Sequence, residues 1–394
     1  MFVSRLQLHD FRSYGDVELE FGPGLTVITG DNGAGKTNLL EAVSYLSSAR
    51  SFRGAPTEAL VRMGCARGFV RADAVSSGRN LLLEAELVPG GRSRMLLNKQ
   101  PLRSGIDRRD ALAVTVFSPD DLVIIKGGPG ERRVVIDRLL EALHPRNVAM
   151  LADLDKILRQ RNALLKQSGG RLSPEVGFTL DVWDAKLASV GTAVVRARSE
   201  VLEELSPFFQ AAYDDIADRG SAVSLTYRCS FDGPLDTALI SGRADDVRRS
   251  LSLVGPHRDE VDVRIGARPS RTHASQGEQR TLALALQLAG HRLLTERLEA
   301  APILLLDDVF SELDPQRSNA LIRSLPTGQT LLATAGAIPR SAAVQSRVVV
   351  ERGEIDGVCS DARIWSELSD AVDKPGESVD EIAFSGVKQH ESEL

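Results

Sequence analysis

Apolar positions change their spacing several times along the chain, and each change marks a predicted element. The first 21 residues alternate apolar and polar side chains as β-strands do, and Leu25–Thr29 is a short β-branched run typical of a buried strand. After a glycine-rich stretch, apolar residues recur at helical spacing from Leu39 to Leu46. The pattern predicts a strand, a glycine loop and a helix in direct succession.

The remaining pattern predicts further β and helical regions. Short apolar runs divided by Gly and Pro, including Val114–Phe117, indicate a β-rich subdomain over residues 69–118. Helical spacing then indicates a helical insertion from Glu131 to about Ser221, with breaks near Gly169-Gly170 and Gly220. After it we predict a strand, a helix and two buried strands, at Val261–Ile265, Glu278–Leu294, Ile303–Leu306 and Thr330–Thr334.

Composition and cysteine usage exclude several classes of protein. The 394 residues are 42% hydrophobic and 26% charged, and no uninterrupted apolar run approaches the roughly 18 residues of a membrane-spanning helix. The first ten residues lack the apolar centre of a signal peptide. The three cysteines are far apart and outside any CxxC pattern, which argues against a disulfide framework or a zinc site. We therefore expect a cytoplasmic protein without a membrane partner.

The charge is distributed unevenly. Residues 367–394 contain eight acidic residues and two lysines, which accounts for the whole net charge of −6. Between Arg50 and Arg109 there are twelve basic and five acidic residues. This surplus is either a solvated face or a phosphate-binding surface, and the sequence leaves both open.

The glycine loop fits the GxxxxGK[ST] pattern of phosphate loops. Its glycines let successive N–H groups point at phosphate oxygens, and the following helix adds its positive end. Lys36 would reach the β- and γ-phosphates, and the Thr37 hydroxyl would ligate Mg²⁺. The alternative is a glycine turn that contains a lysine by chance. The loop positions, all predicted to bind the nucleotide, are Gly30, Asp31, Asn32, Gly33, Ala34, Gly35, Lys36 and Thr37.

Two acids follow the apolar run Ile303–Leu306. Four successive apolar residues suit a central parallel strand, because both faces of such a strand are covered. Asp307 would hold Mg²⁺ through water, and Asp308 would orient or deprotonate the attacking water, which makes Asp308 and Lys36 the predicted catalytic pair. The alternative is a strand end whose acids only face solvent.

A second candidate anion site lies at Ser275-Gln276-Gly277, before the predicted helix. A serine hydroxyl and a glycine backbone at a helix N-terminus can bind phosphate. The alternative is a plain helix cap with Ser275 as the N-cap. The order of the motifs favours phosphate binding, because Ser311-Glu312-Leu313-Asp314 follows the paired acids.

In this order of motifs the chain resembles the ATP-binding-cassette ATPases of the SMC-like branch, and most closely the RecF family of bacterial DNA repair and replication proteins. The resemblance covers nearly all of residues 1–365. The stretches that carry it are Asp10–Tyr14, Gly30–Thr37, Phe117–Leu122, Arg161–Lys166, Gly255–Asp259 and Leu305–Asp314.

The resemblance implies an α/β fold, an ABC-type P-loop ATPase head with a β-rich subdomain and a helical insertion lobe. On this basis we divide the chain into four regions. They are an N-terminal part of the ATPase lobe (1–130), a mainly helical insertion lobe (131–253), a C-terminal part of the ATPase lobe (254–365) and a disordered acidic tail (366–394).

The resemblance also implies a mechanism. Two subunits would meet head to tail with ATP between them, so that Ser275 and Gly277 of one close on the γ-phosphate held by Lys36 of the other. Asp314 would bridge the interface. The family further implies binding to duplex DNA, gapped DNA or single-strand/double-strand junctions, and cooperation with RecO and RecR in loading recombinase. The activity would be weak, DNA-stimulated ATP hydrolysis with ATP and Mg²⁺ as cofactors.

Several positions depart from the family pattern. Ala274 stands where leucine is common, and Asp308 stands where many cassette ATPases carry glutamate, which predicts slow hydrolysis. Ala335 occupies the position of a switch histidine, with Thr334 as its nearest substitute. No clear glutamine lies in the lid near Ser118, where Asp120 is the nearest candidate.

Other basic residues allow two interpretations each. Arg12 either reaches a phosphate or belongs to the surface of the first hairpin. For His257 and Arg258 the favoured interpretation is a structural role that ties a hairpin to the ATPase lobe. A helical face with Arg159, Arg161 and Lys166 contacts DNA or is only solvated.

Competing protein classes fit less well. The chain lacks the membrane-partner contact pattern of a transporter subunit and the sustained heptads of an SMC protein with long coiled-coil arms. It also lacks the additional metal-binding module of a nuclease-coupled ATPase. The remaining alternative is an ABC-type ATPase subunit that serves a partner other than DNA.

Overall fold

The computed structural model describes residues 1–102, 111–217, 220–311, 313–351 and 353–359. The predicted acidic tail, 366–394, lies outside this range. None of the described helices is both long and apolar enough to traverse a bilayer. The strands are β1 (Phe2–Phe11), β2 (Tyr14–Glu20), β3 (Leu25–Thr29), β4 (Gly68–Ser76), β5 (Arg79–Leu87), β6 (Arg94–Leu97), β7 (Gln100–Pro101), β8 (Val114–Phe117), β9 (Val223–Arg228), β10 (Glu260–Ile265), β11 (Arg268–Pro269), β12 (Ile303–Asp307), β13 (Thr330–Thr334), β14 (Val344–Glu351) and β15 (Glu354–Cys359). The helices are α1 (Lys36–Ser48), α2 (Thr57–Leu60), α3 (Val123–Lys126), α4 (Pro129–Leu143), α5 (Pro145–Gln167), α6 (Pro174–Ile216), α7 (Leu235–Arg249), α8 (Ser270–His273), α9 (Gln276–Leu298) and α10 (Pro315–Ser324).

A mostly parallel sheet forms the centre of the molecule, in the order β15-β14-β3-β13-β12-β8. On β12, Ile303 and Leu305 belong to one hydrophobic core and Leu304 and Leu306 to the other, because successive side chains point to opposite faces. One core contains α1 and the antiparallel sheet β2-β1-β4-β5-β6-β7, and the other contains α9 and the C-terminal half of α6. The predicted strands β3, β12 and β13 are confirmed.

One predicted strand has a different partner from the one expected. The run Val114–Phe117 was assigned to the β-rich subdomain, whereas β8 pairs in parallel with β12, with Val114 opposite Ile303 and Phe117 opposite Leu306. Both faces of a strand in this sheet are covered, so a short apolar run suits it. Apolar periodicity identifies a strand but does not identify its neighbour.

Helix α6 is the longest element, with 43 residues and a length of about 65 Å. It passes through Gly177, Gly191 and Pro207, although these residue types weaken helices. A Cβ on Gly191 would lie 2.6 Å from the Leu235 side chain and 3.2 Å from that of Pro256, so this glycine permits close packing. The predicted break at Gly169-Gly170 is confirmed, since α5 ends at Gln167 and α6 begins at Pro174.

A short sheet crosses the predicted boundary between the insertion lobe and the C-terminal part of the ATPase lobe. Strand β9 belongs to the insertion by sequence, but it pairs antiparallel with β10, from Arg228 opposite Glu260 to Val223 opposite Ile265. The division at residues 253 and 254 therefore cuts a hydrogen-bonded pair of strands. The four-region division stays a prediction.

A buried ionic cluster joins the helices of the insertion. The Arg161 side chain is fully buried and donates to Asp184 at 2.7 Å, to Asp246 at 2.7 Å and to the Ser252 hydroxyl at 2.8 Å. A buried guanidinium paired in this way stabilises the packing only while its partners remain. The interpretation of Arg161 as a DNA contact is therefore wrong.

The neighbours of Arg161 differ from it in exposure. Arg159 and Lys166 are exposed on the same helix, so they remain available as surface cations. His257 and Arg258 instead contact the main chain. His257 Nε2 lies 2.9 Å from the Ser252 carbonyl oxygen, and Arg258 Nη2 donates to the same oxygen at 3.1 Å. This geometry agrees with a structural role for both.

His291 on α9 supplies a stability prediction. Only 1% of it is exposed, both ring nitrogens lack a hydrogen-bond partner among the described residues, and burial, with Arg292 nearby, lowers its pKa to about 4. Burying an unpaired polar group costs about 1–3 kcal/mol, so H291L should raise the free energy of unfolding by about 1–2 kcal/mol at pH 7.5.

The same substitution should change the pH dependence of stability. Below about pH 6.5 the unfolded chain binds a proton that folded His291 excludes, so wild-type stability falls toward pH 4 and the advantage of H291L widens. Urea denaturation at pH 7.5 and 5.5 measures both effects, with the exposed H273L as control. A less stable H291L at pH 7.5 would contradict the prediction.

Candidate functional site

The carboxyl ends of three neighbouring parallel strands meet at one edge of the central sheet. The phosphate loop follows β3, Asp308 follows β12, and β13 lies between these two strands. Crevices at the carboxyl ends of parallel strands are the usual ligand-binding positions in such sheets. The structure therefore brings the predicted loop and the predicted acids to the same edge.

The backbone of the loop requires its glycines. Gly30, Gly33 and Gly35 have φ values of 150°, 86° and 121°, a region that favours glycine. A Cβ on Gly30 would lie 2.2 Å from the Val350 carbonyl oxygen, and one on Gly35 would lie 2.9 Å from the Tyr14 hydroxyl. The Tyr14 hydroxyl also donates to the Gly35 carbonyl at 3.0 Å, which ties the first hairpin to the loop.

Lys36 is held inside the loop. Its ammonium donates to the carbonyl oxygens of Gly30 at 2.7 Å and Asp31 at 2.8 Å. Burial lowers the pKa of Lys36, while the charges of Asp308 and Asp307 oppose this shift. The geometry keeps a cation at the centre of the loop, close to both acids.

Thr37 and Asp307 form a pair of hard oxygen donors. The Thr37 hydroxyl donates to the Asp307 carboxylate at 2.7 Å. Burial raises the pKa of Asp307, and the Asp308 charge adds to this, whereas Thr37, Arg53 and Lys36 lower it. Mg²⁺ prefers few protein ligands and keeps water or phosphate oxygens in its other positions, so this donor set fits Mg²⁺. No group of three His, Cys, Asp or Glu side chains that could hold a metal ion occurs among the described residues.

Asp308 occupies a left-handed turn directly after β12. Its φ is 46°, its N–H donates to the Ala333 carbonyl at 2.8 Å, and its own carbonyl accepts from the Ser311 hydroxyl at 2.9 Å. Aspartate and asparagine are enriched in this backbone region. This preference gives a local reason for aspartate where many cassette ATPases carry glutamate.

Arg12 is committed to the helix that follows the phosphate loop. Its guanidinium donates to Glu41 at 2.7 and 2.9 Å and to the Ala59 carbonyl at 2.8 Å, and Glu41 is fully buried. Glu41 also accepts from the Ser51 hydroxyl. Arg12 therefore anchors the β1–β2 turn to α1, which neither interpretation of this residue anticipated.

Arg53 is a cation whose effect on the site sequence reasoning did not single out. It is exposed in the segment after α1, and its charge lowers the pKa of Asp307. Its only signal in the sequence was membership of the basic surplus at residues 50–109. Elsewhere in that surplus, cross-strand ion pairs neutralise Arg67 with Glu86 and Arg71 with Glu84.

The lid segment contains a half-buried acid at a different position from the expected one. Asp120 is exposed, whereas Asp121 accepts from the Ser118 N–H at 2.8 Å and lines a cavity of about 40 Å³ that Asp308 and Arg280 also line. Burial raises the pKa of Asp121 to about 6. Asp121, and not the exposed Asp120, therefore shares this cavity with Asp308.

Ser275 caps α9 and is exposed. Its hydroxyl accepts from the Glu278 N–H at 3.3 Å, and the Glu278 carboxylate accepts from the Ser275 N–H at 2.7 Å. Within the described chain, no hydrogen bond or ion pair joins Ser275 or Gly277 to the phosphate loop. Within the described residues one chain therefore joins the loop to the acids but not to Ser275 or Gly277, although Arg280, further along α9, lines a cavity together with Asp308.

The two remaining departures from the family pattern have simple local settings. Ala274 is half-buried against the core that contains α9. Thr334 is buried, and its hydroxyl accepts from the Gly336 N–H at 3.0 Å. The Thr334 hydroxyl thus stabilises the turn after β13.

Comparison with known proteins identifies the family. The model of the RecF/RecN/SMC N terminal domain matches residues 2–332. The chain is 39% identical over 376 residues to the DNA replication and repair protein RecF of Frankia alni, covering 90% of this chain and 99% of that one. The chain belongs to the RecF family. RecF of Streptomyces avermitilis is 40% identical over 355 residues, covering 85% of this chain and 93% of its own.

The RecF fold extends over most of the structure. A solved structure of the recombination mediator protein RecF with ATP, in the RecFOR pathway, superposes with a TM-score of 0.83 at 29% identity. The match covers 90% of this chain and 97% of the other. The predicted fold class, an ABC-type ATPase head of the RecF and SMC type, is confirmed.

Proposed function

We propose that this chain is an ATP-dependent DNA-binding protein of recombinational repair and replication. It dimerises on ATP at duplex DNA, gaps or single-strand/double-strand junctions and helps to load recombinase together with RecR and RecO. A role on DNA implies a cytoplasmic location in bacteria. The solved RecF–ATP structure and the names of the relatives support this proposal.

The absence of a hydrogen bond or ion pair between the two anion sites, within the described part of one chain, supports the dimer part of the proposal. Lys36, Thr37, Asp307 and Asp308 lie at one edge of the sheet, while Ser275 is exposed at the start of α9 and has no hydrogen bond or ion pair with them among the described residues. A second copy that presents its own Ser275 and Gly277 would complete the phosphate site. Because ATP would then bind the dimer better than the monomer, it would stabilise the dimer by linkage.

Each residue of the edge has a chemical task in this proposal. The glycine loop and Lys36 hold the β- and γ-phosphates, and Thr37 with Asp307 holds Mg²⁺, which supplies charge neutralisation when bound. Asp308 orients the attacking water and accepts its proton. The short side chain of Asp308, on a left-handed turn, reaches less far than glutamate would, so we expect hydrolysis to be slow. DNA binding would accelerate this slow hydrolysis.

The alternative of an ATPase subunit for a partner other than DNA has no support among the relatives, which are named for DNA replication and repair. Binding to the DNA backbone rather than to base edges agrees with the absence of a base-reading motif. Backbone binding depends on counterion release and is therefore steeply sensitive to salt.

Affinity for gapped duplex DNA with and without ATP tests the proposal. We expect ATP to tighten binding by about tenfold, following the linkage between dimerisation and ligand binding, and S275R to lose this gain. S241R places the same charge on the exposed face of α7 and should behave as wild type.

Salt provides a second readout in the same assay. Contacts with about six phosphates predict a loss of about 1,000-fold in affinity between about 50 and about 200 mM salt. An affinity for DNA that does not change with ATP, with salt or with the S275R substitution would contradict the proposal and favour the alternative partner.

A further inference from the structure

Arg317 lies over the second anion site. It belongs to α10, directly after the segment that ends in Asp314, and its guanidinium packs against the start of α9. A Cβ on Gly277 would lie 2.5 Å from Arg317 Nη1 and 3.5 Å from Nη2. Hydrogen bonds from Ser275 lower the pKa of the Glu278 carboxyl, and the charge of Arg317 lowers it further by a smaller amount. A cation is thus fixed beside Gly277, two residues from the exposed Ser275.

The guanidinium has few acceptors. Arg317 Nη1 lies 3.3 Å from the Asp314 carboxylate, and Nε is buried without an acceptor among the described residues. Asp314 is 45% exposed and also accepts from the Arg317 N–H at 2.9 Å, so it is a solvated partner that already caps α10. A guanidinium presents five donors, and buried donors without acceptors are rare in native proteins. Arg317 therefore retains donor capacity for an anion.

We propose that Arg317 binds the γ-phosphate of the nucleotide held by the second copy of this chain. This rests on the proposed ATP-linked dimer and adds to it a cation that acts between subunits. In the free chain Asp314 neutralises Arg317. When the copies meet, Asp314 turns to the interface and Arg317 exchanges this carboxylate for phosphate oxygens, which match its planar fork.

Position and charge support an action between subunits. Arg317 packs against Gly277. Within the described residues, neither of the two has a hydrogen bond or an ion pair with the phosphate loop of its own chain. The first anion site already has Lys36 as its cation, whereas Ser275 and Gly277 contribute no charge. Arg317 adds a positive charge directly at Gly277 in this half of the composite site.

Loss of Arg317 should weaken the dimer without weakening nucleotide binding by the monomer. R317A should bind a fluorescent ATP analogue like wild type, yet its ATP-dependent dimerisation, measured by sedimentation, should weaken about 10-fold to 100-fold. R317K should lose less, because it keeps the charge but not the fork. R323A removes an exposed arginine from the same helix and should dimerise like wild type.

Mixed dimers decide whether Arg317 acts across the interface. R317A mixed with K36A contains one intact site, with Lys36 from one copy and Arg317 from the other, so phosphate release should rise well above that of either variant alone. R317A mixed with the double variant K36A/R317A contains no intact site and should stay low.

The possible results separate two failures. If wild type neither dimerises nor hydrolyses ATP, the proposed function fails. If wild type dimerises and R317A equals it, or if R317A and K36A do not complement each other, the assignment of Arg317 is overturned while the proposed function stands. Thermal unfolding of R317A within a few degrees of wild type excludes misfolding as the cause, and R317K provides the comparison if R317A unfolds.

Discussion

K36A is expected to abolish ATP-driven dimerisation and to lower the affinity for ATP by about 100-fold. The Lys36 ammonium lies within hydrogen-bond distance of two loop carbonyls and is the cation at the centre of the loop. Hydrogen bonds to charged groups contribute about 1.5–3 kcal/mol each, so losing contacts to the β- and γ-phosphates accounts for this factor. A fluorescent ATP analogue measures the affinity, and light scattering with ATP and Mg²⁺ measures the dimer.

A matched variant separates this effect from a general change in charge. K156A removes an exposed lysine from α5 and should bind ATP and dimerise as wild type does. A K36A protein that still doubles its mass on ATP would mean that the phosphate loop does not operate the dimer.

D308N is expected to slow ATP hydrolysis by roughly 100-fold or more and to prolong the dimer. Asparagine matches the shape of aspartate and tolerates the φ of 46°, so the backbone is preserved while the proton acceptor is lost. General-base catalysis typically supplies 10²–10⁴-fold in rate. Phosphate release measures the first effect, and the decay of light scattering after a limited dose of ATP measures the second.

The comparison for D308N is D245N, an equal change on the exposed surface of α7. It should hydrolyse ATP at the wild-type rate. A D308N protein that remains monomeric with ATP would contradict the proposed order of events, in which closure precedes hydrolysis.

Local sequence patterns were sufficient to predict the phosphate loop and the strand that ends in Asp307. The glycines of the loop adopt backbone angles that favour glycine, and four apolar residues before Asp307 form a strand covered on both faces. Parallel order then brings Thr37 within 2.7 Å of Asp307, although the two residues are far apart in sequence. These features depend on nearest neighbours and on the general rules of α/β sheets.

Tertiary contacts decided what the sequence did not reveal. Arg161 looks like a surface cation on a helix, but Asp184 and Asp246 approach from other helices and bury it. The fold brings Arg53 near enough for its charge to lower the pKa of Asp307, and it packs Arg317 against Gly277, 40 residues away in the chain. A charged residue is exposed by default, so only the assembled fold distinguishes these arginines from ordinary surface residues.

Helix α6 connects the elements around the second anion site to the insertion lobe. Its C-terminal half shares a core with α9 and α10, the helices that carry Gly277 and Arg317, while its N-terminal half supports the insertion lobe. Leu180 lies about 44 Å along the axis from Phe209, so a tilt of about 5° at Phe209 would move Leu180 sideways by roughly 4 Å. If α6 tilted as a rigid rod, a change too small to break the packing around α9 would thus produce, at the far end of the insertion, a displacement greater than the length of a hydrogen bond.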